Sequence, residues 1–338
     1  MMDSSVKPPG GIRQIVTADI GGTHARFALA AIDGKRVVAL DQLVTLRTAD
    51  YASLHEAWGE FERNVGAKLP REFAMAFAGP IDGGLIKLTN NPWVIQPDRI
   101  DAVLDLDRHL VINDFGANAH AVVDLDGSAF NHVCGKNVDL PVEGVISIIG
   151  PGTGLGVAML VKRPDGYEVI ETEGGHIDFA PLDLVEDQIL TYLRESFRRV
   201  SVERLVAGVG LVNIYAALAT IEDQPMVLRD DRELWAAALA GSDVLATAAL
   251  DRFFLIFGAV AGDIALAQGS RAVVIAGGVG LRLKDRLSHS GFSSRFCAKG
   301  RFERRMKSLP VKLVTHPQPG LWGAAAAFAR LGSNSSPA

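Results

Sequence analysis

Residues 15–31, IVTADIGGTHARFALAA, and residues 145–161, VISIIGPGTGLGVAMLV, are built to one pattern: an apolar strand, a tip of Gly and Thr, and a second apolar strand. A unit that occurs twice constrains the whole architecture, because the fold must house two copies of it. The second copy matches neither of the commonest nucleotide-binding glycine loops. A P-loop needs Lys and then Ser or Thr after its last glycine, whereas Gly156 is followed by Val157 and Ala158. A dinucleotide fingerprint opens a helix, whereas residues 157–161 run on as an apolar, partly β-branched strand. The segment therefore reads as a β-hairpin with a glycine-rich tip. A single tip of this kind is an ordinary turn. Two of them, with Thr23 and Thr153 each placing a hydroxyl beside backbone N–H groups, would grip a polyphosphate from both sides.

The rest of the chain alternates helix and strand. Leu54, Trp58, Phe61 and Val65 fall at helical spacing, as do Val185, Ile189, Tyr192, Leu193 and Phe197. EFAMAFAG (72–79), LVIND (110–114) and AVVIAGGVG (272–280) read as strands, the last two ending in polar or glycine residues. Open α/β sheets hold ligands at such strand ends. The expectation is two α/β domains, each opening with a glycine hairpin, with the ligand site between them. The polar segment 124–141 is the expected boundary loop, and LGSNSSPA at the end a frayed tail.

At 338 residues the chain is long enough for two such cores, and a composition of 48% hydrophobic and 22% charged residues suits a globular protein. A net charge of -5 leaves no basic footprint for nucleic acid. Cys134 and Cys297 stand far apart in sequence, which argues against a zinc or disulfide framework and for a reducing cytoplasm. The N-terminal MMDSSVKPPGG lacks the apolar core of a signal peptide. The run FFLIFGAVAG (253–262) falls well short of the roughly 20 residues needed to span a bilayer and reads as a buried helix, so no membrane partner is expected.

Five motifs, DIGGTHAR (19–26), INDF (112–115), IGPGTGLG (149–156), EGGHIDF (173–179) and IAGGV (275–279), resemble those of the bacterial glucokinase family, in family order over about residues 15–330. That family is a sugar-kinase branch of the actin-like ATPase superfamily. The resemblance implies an α/β, actin-like ATPase (ribonuclease H-like) fold of two α/β domains with a ligand cleft between them. It implies a small domain of residues 12–123 plus 316–332 and a large one of 124–315. The implied activity is transfer of a phosphoryl group from MgATP to the 6-hydroxyl of glucose. Ala18, Asp19, Ile20, Gly21, Gly22 and Thr23, with Gly150, Gly152, Thr153 and Gly154, would then hold the ATP phosphates, and Gly277 and Gly278 would lie against the nucleoside. Glycines suit that task because a Cβ would keep the N–H groups from closing on the phosphate oxygens. Asp19 would hold Mg2+ through water, an ion that keeps several waters and uses few carboxylates.

By the same resemblance Asp114 is the general base, aligned to take the proton of the attacking hydroxyl. Asn113, Asp114, Glu173, His176 and Glu203 are the expected glucose ligands, since carboxylates, amides and imidazole hydrogen-bond hydroxyl pairs. Read without the family, Asn113-Asp114 after a strand is a helix N-cap, Asp19 a turn residue, His176 a structural histidine and Glu203 a solvated charge. Asn90 and Asn91 serve equally as sugar contacts or as a turn before Pro92. One departure from the family stands out: AGVGL (207–211) replaces a Ser-Gly-Pro-Gly-Leu run, and the missing proline predicts a looser segment around Glu203. Alternatives to glucokinase are a kinase for another hexose, a sugar-sensing protein without turnover, and an actin-like scaffold. The expected partners are glucose and MgATP, with a cytoplasmic homodimer implied by the resemblance.

Overall fold

The computed structural model describes residues 11–79, 84–87, 91, 93–225 and 230–331. They fall into two compact units, one drawn from Met1–Leu125 and Pro317–Ala338, the other from Asp126–His316.

The first unit is built on strands β1 (Arg13–Ile20), β2 (His24–Asp33), β3 (Arg36–Arg47) and β4 (Glu72–Phe77), a small ribbon of β5 (Ile86–Lys87) and β6 (Val94–Ile95), and β7 (Arg108–Asn113). Its main sheet runs β3-β2-β1-β4-β7, with β1 to β3 an antiparallel meander and β4 and β7 parallel to β1. The crossover from β3 to β4 is the helix Leu54–Val65. It starts where the Ser53 side chain accepts the Glu56 N–H and stops at Gly66, whose φ of 70° only glycine adopts freely. Strand period two divides β1 between the faces of the sheet. Val16, Ala18 and Ile20 join Trp58 and Phe61 on one side, while Ile15 joins the helix Pro319–Arg330 on the other. That helix lies against the helix Asp114–Asp124 at Gly323, where a Cβ would fall 1.7 Å from the Ala117 carbonyl oxygen.

The second unit contains β8 (Phe130–Cys134), β9 (Gly144–Pro151), β10 (Leu155–Arg163), β11 (Gly166–Thr172), β12 (Ala272–Ile275) and β13 (Val311–Val314). Its sheet runs β11-β10-β9-β12-β13-β8, with β12 parallel to β9 and β13. Five of these strands repeat the order and sense of the first sheet, so the duplicated hairpin belongs to a duplicated sheet. The helix Val244–Ala267 is apolar enough to cross a membrane by composition, but Phe253, Phe254 and Phe257 spend that apolarity on the core of the unit.

The expected boundary loop 124–141 does contain the division between the units, at Leu125/Asp126, but its loop character is corrected: it holds β8, which pairs antiparallel with β13 at the sheet edge. Five residues with one neighbouring strand and no regular alternation of burial leave little periodic signal. Asn90, Pro92 and the tail 332–338 lie outside the described residues.

Candidate active site

In the first unit the parallel register sets the ends of three strands side by side, Ile20 opposite Phe77 and Phe77 opposite Asn113. Asp19 and Asp114 are thereby carried to the same edge of the sheet. Asn113 caps the following helix: its Oδ1 accepts the N–H groups of Phe115 at 2.8 Å and Gly116 at 3.3 Å, while its Nδ2 donates to the Gly79 carbonyl. Asp114 Oδ1 also accepts the Phe115 N–H. The N-cap reading of this pair is thus realised, and it fixes the direction in which the strand end delivers Asp114.

Asp19 sits against the start of the helix Pro319–Arg330, where a Cβ on Gly320 would come within 2.9 Å of the carboxyl group. Burial pushes the Asp19 carboxyl above the usual carboxylate range, and the Arg26 guanidinium, 3.3 Å from Oδ2, offsets part of that. The first tip is braced through its carbonyls. Thr48 Oγ1 donates to Gly22 O at 2.8 Å and Thr48 N–H to Thr23 O at 3.1 Å. The Gly21 N–H closes the turn on His24 O, whereas the N–H groups of Gly22 and Thr23 bond no other group among the described residues.

The second tip is handled alike. The Gly152 N–H closes on Gly154 O, Gly152 O accepts the Gly208 N–H at 2.8 Å, and the N–H groups of Thr153 and Gly154 bond no described protein group. Oriented N–H groups whose carbonyls are engaged elsewhere make an anion-binding concavity. Gly277 lies directly on this tip: at φ 85°, a Cβ there would meet Pro151 O at 2.8 Å. On its other side, Glu203 Oε2 accepts the Leu155 N–H at 2.9 Å and occupies the place a Gly154 Cβ would need.

Glu173 and His176 are exposed, with Oε2 and Nε2 3.9 Å apart. Their segment packs on β10, where Gly175 has no room for a Cβ beside Leu155 O. It is tied to the Glu203 segment by the Asp178–Ser201 bridge, by the Val202 N–H on Ile177 O, and by Arg199, which holds Asp178 and the His176 carbonyl. The second unit therefore gathers Gly150, Gly152, Gly154, Glu173, His176, Glu203 and Gly277 around one hairpin tip. Sequence reasoning missed Thr48, Arg199, Gly320 and Trp235; each acts from a position that carries no motif. The segment around Glu203 is also better held than its missing proline predicts. Gly208 bonds Gly152 on one side, and on the other its carbonyl accepts Trp235 Nε1 at 3.0 Å.

A duplicated sheet with two open glycine tips, one of them beside a carboxylate and imidazole cluster, defines a sugar kinase of the actin-like ATPase fold. The glucokinase family profile matches residues 16–331. Zymomonas mobilis glucokinase is 59% identical over 94% of this chain and 98% of its own length. The crystal structure of a glucokinase from an Antarctic psychrotroph superposes with a TM-score of 0.80 at 34% identity, covering 93% of this chain and 98% of the other. A Streptomyces griseus ROK family glucokinase, solved in complex with glucose and AMPPNP, shares the fold with a TM-score of 0.61 at 18% identity, covering 93% and 99%. The chain belongs to the glucokinase family.

Proposed function

We propose that the protein transfers the γ-phosphoryl group of MgATP to the 6-hydroxyl of D-glucose. The observation that carries this reading is the second glycine tip, whose Thr153 and Gly154 N–H groups bond no described protein group and against which Gly277 packs at Pro151 and Glu203 at Gly154 and Leu155. A phosphate cradle there adjoins both a nucleoside surface and a hydroxyl-binding carboxylate. In this reading the N–H groups of Gly22, Thr23, Thr153 and Gly154 receive phosphate oxygens, and Gly277 and Gly278 line the adenosine. Asn113, Glu173, His176 and Glu203 orient the hexose, and Asp114 takes the proton of the attacking hydroxyl as the new O–P bond forms. Phosphoryl transfer asks little covalent chemistry of a protein beyond alignment and charge stabilisation, which suits a site made of N–H groups and one carboxylate base.

Among the described residues no cluster of three or more His, Cys, Asp or Glu could cage a metal. A single partly exposed carboxylate at Asp19 fits Mg2+, which is held through one or two carboxylates, waters and substrate phosphates. Bound there, the ion would neutralise charge on the phosphates. A coupled ADP-release assay across a panel of hexoses tests the function. Glucose is expected to give the highest kcat/KM, and no turnover with any hexose would refute the reading. Asp114→Ala is expected to lower kcat by at least about a hundredfold, the low end for a general base, with MgATP binding retained. A variant that keeps most of its turnover would remove Asp114 from that role.

A further inference from the structure

We propose that Trp235 is a positioning residue for the second phosphate loop, acting through the peptide at Gly208. The inference rests on the reading that residues 150–154 hold the ATP phosphates. Trp235 lies in the helix Asp231–Ala240, and only 3% of it is exposed. Packing alone would be met by any large apolar ring there, since its neighbour Phe253 contacts it edge to face at 5.6 Å. The indole N–H does more. It donates at 3.0 Å to the carbonyl of Gly208, whose own N–H donates at 2.8 Å to the carbonyl of Gly152 in the glycine tip. One residue thus transmits the placement of a helix in the core to the tip of the hairpin.

The helix that begins at Gly208 has no side-chain cap of its own. Gly208 opens the helix Gly208–Ile221, and the capping position before it is Ala207, which has no side-chain acceptor to fix the helix start. Three of the five residues of the tip, Gly150, Gly152 and Gly154, have no side chain to fix them, so its geometry depends in good part on what holds its carbonyls. Gly152 is held by Gly208 and Leu155 by Glu203, both from one short segment, and Trp235 bonds the Gly208 end of it. The indole also carries the Arg282 guanidinium, 5.2 Å from the ring centroid. Arg282 ends the helix Gly278–Arg282, which starts at Gly277, the glycine that packs on Pro151. Trp235 therefore touches the supports of both nucleotide-facing segments of the second unit.

Trp235→Phe keeps an aromatic ring for Phe253 and Arg282 while removing the donor and part of the indole's volume, so its packing cost is read separately as melting temperature. The expected result is a rise in the KM for MgATP of about three- to tenfold, the scale of one neutral hydrogen bond, with the KM for glucose within twofold of the unaltered protein. Gly208→Ala perturbs the same link from its other side, because a Cβ there would stand 3.2 Å from Gly152 O. It is expected to raise the KM for MgATP as well. The double variant should show less than the product of the two effects, because both changes break one chain of bonds. Calorimetric titration with MgADP on each protein separates the possibilities. If the unaltered protein binds MgADP and Trp235→Phe binds it equally well, Trp235 only packs the core and the inference falls, whatever the melting temperature does. Should the unaltered protein bind no nucleotide, the phosphate-loop reading falls first and takes this inference with it.

Discussion

Gly277→Ala probes the turn that packs the nucleoside segment on the second glycine tip. The residue sits at φ 85° and ψ 159°, a region open essentially to glycine alone, and holding an alanine there costs about 1–3 kcal/mol. Its Cβ would also lie 2.8 Å from Pro151 O, a distance real Cβ atoms essentially never show, and 3.4 Å from the Gly150 carbonyl carbon, just inside the roughly 3.5–4.0 Å optimum for carbon pairs. The strain must appear in one of two places. If the turn keeps its conformation, folding stability falls by about 1–3 kcal/mol. If the turn relaxes, it must be restored when ATP binds, and the KM for ATP rises by about 5- to 150-fold, the same energy expressed as an equilibrium. Urea denaturation and ATP kinetics at saturating glucose, measured on one preparation, read both. The adjacent Gly278→Ala is the control for stability alone, since no protein atom lies within 4 Å of its Cβ and its backbone is unstrained for alanine. The reasoning is refuted if Gly277→Ala changes neither stability nor ATP kinetics, or if Gly278→Ala costs as much stability.

Two further perturbations address the first unit. Asp124 Oδ2 accepts both the Val37 N–H and the Trp322 Nε1–H, and its fully buried Oδ1 faces Arg330 at 3.5 Å. Asp124→Ala is expected to cost about 3–5 kcal/mol in urea unfolding, whereas Asp124→Asn, able to keep a carbonyl at the Oδ2 place, loses clearly less; equal losses would show that the ion pair rather than the Oδ2 bonds dominates. Burial, with a smaller contribution from Arg330, pushes the His120 imidazole down to about 4, so the unfolded chain takes up the proton first. Stability is then full above about pH 6.5 and falls as pH drops toward 4, by up to about 3 kcal/mol, and His120→Gln should flatten that decline; an unchanged pH profile would sink the argument.

The parts of the fold legible in sequence are those with strong period or punctuation. Leu54, Trp58, Phe61 and Val65 mark one face of a helix that spans Leu54–Val65, and both hairpins fold as their apolar runs indicate. β8 escaped because an edge strand of five residues need not alternate. The glycines and carboxylates of the proposed site could be named from the sequence because their chemistry restricts residue type. The groups that hold them could not. Thr48 and Trp235 work through backbone carbonyls of Gly22 and Gly208, and a carbonyl has no signature in sequence. Of the two readings of Asn113, the structure realises the helix cap, and that cap sits directly before Asp114 at the strand end.

The two copies of the sheet solve the same problem with different parts. Each tip must turn its carbonyls inward so that N–H groups remain for an anion. In the first unit Thr48, immediately beyond β3, takes both carbonyls with one residue. In the second, the Gly152 carbonyl is taken by Gly208, in the long segment between β11 and β12 that has no counterpart between β3 and β4. Glu173, His176, Glu203 and Trp235 lie in that same segment. The repeated part of the chain thus supplies the two glycine tips, and the unrepeated part supplies the proposed hexose groups of the second unit together with the brace for its tip. Because Glu203 bonds Leu155 and stands within five residues of Gly208, a change at this carboxylate, the proposed hexose ligand, would be felt at the tip without a long path of intermediates. In the proposed reading, ordering a sugar on Glu203 and ordering the second tip for ATP would both follow from fixing one short stretch of backbone.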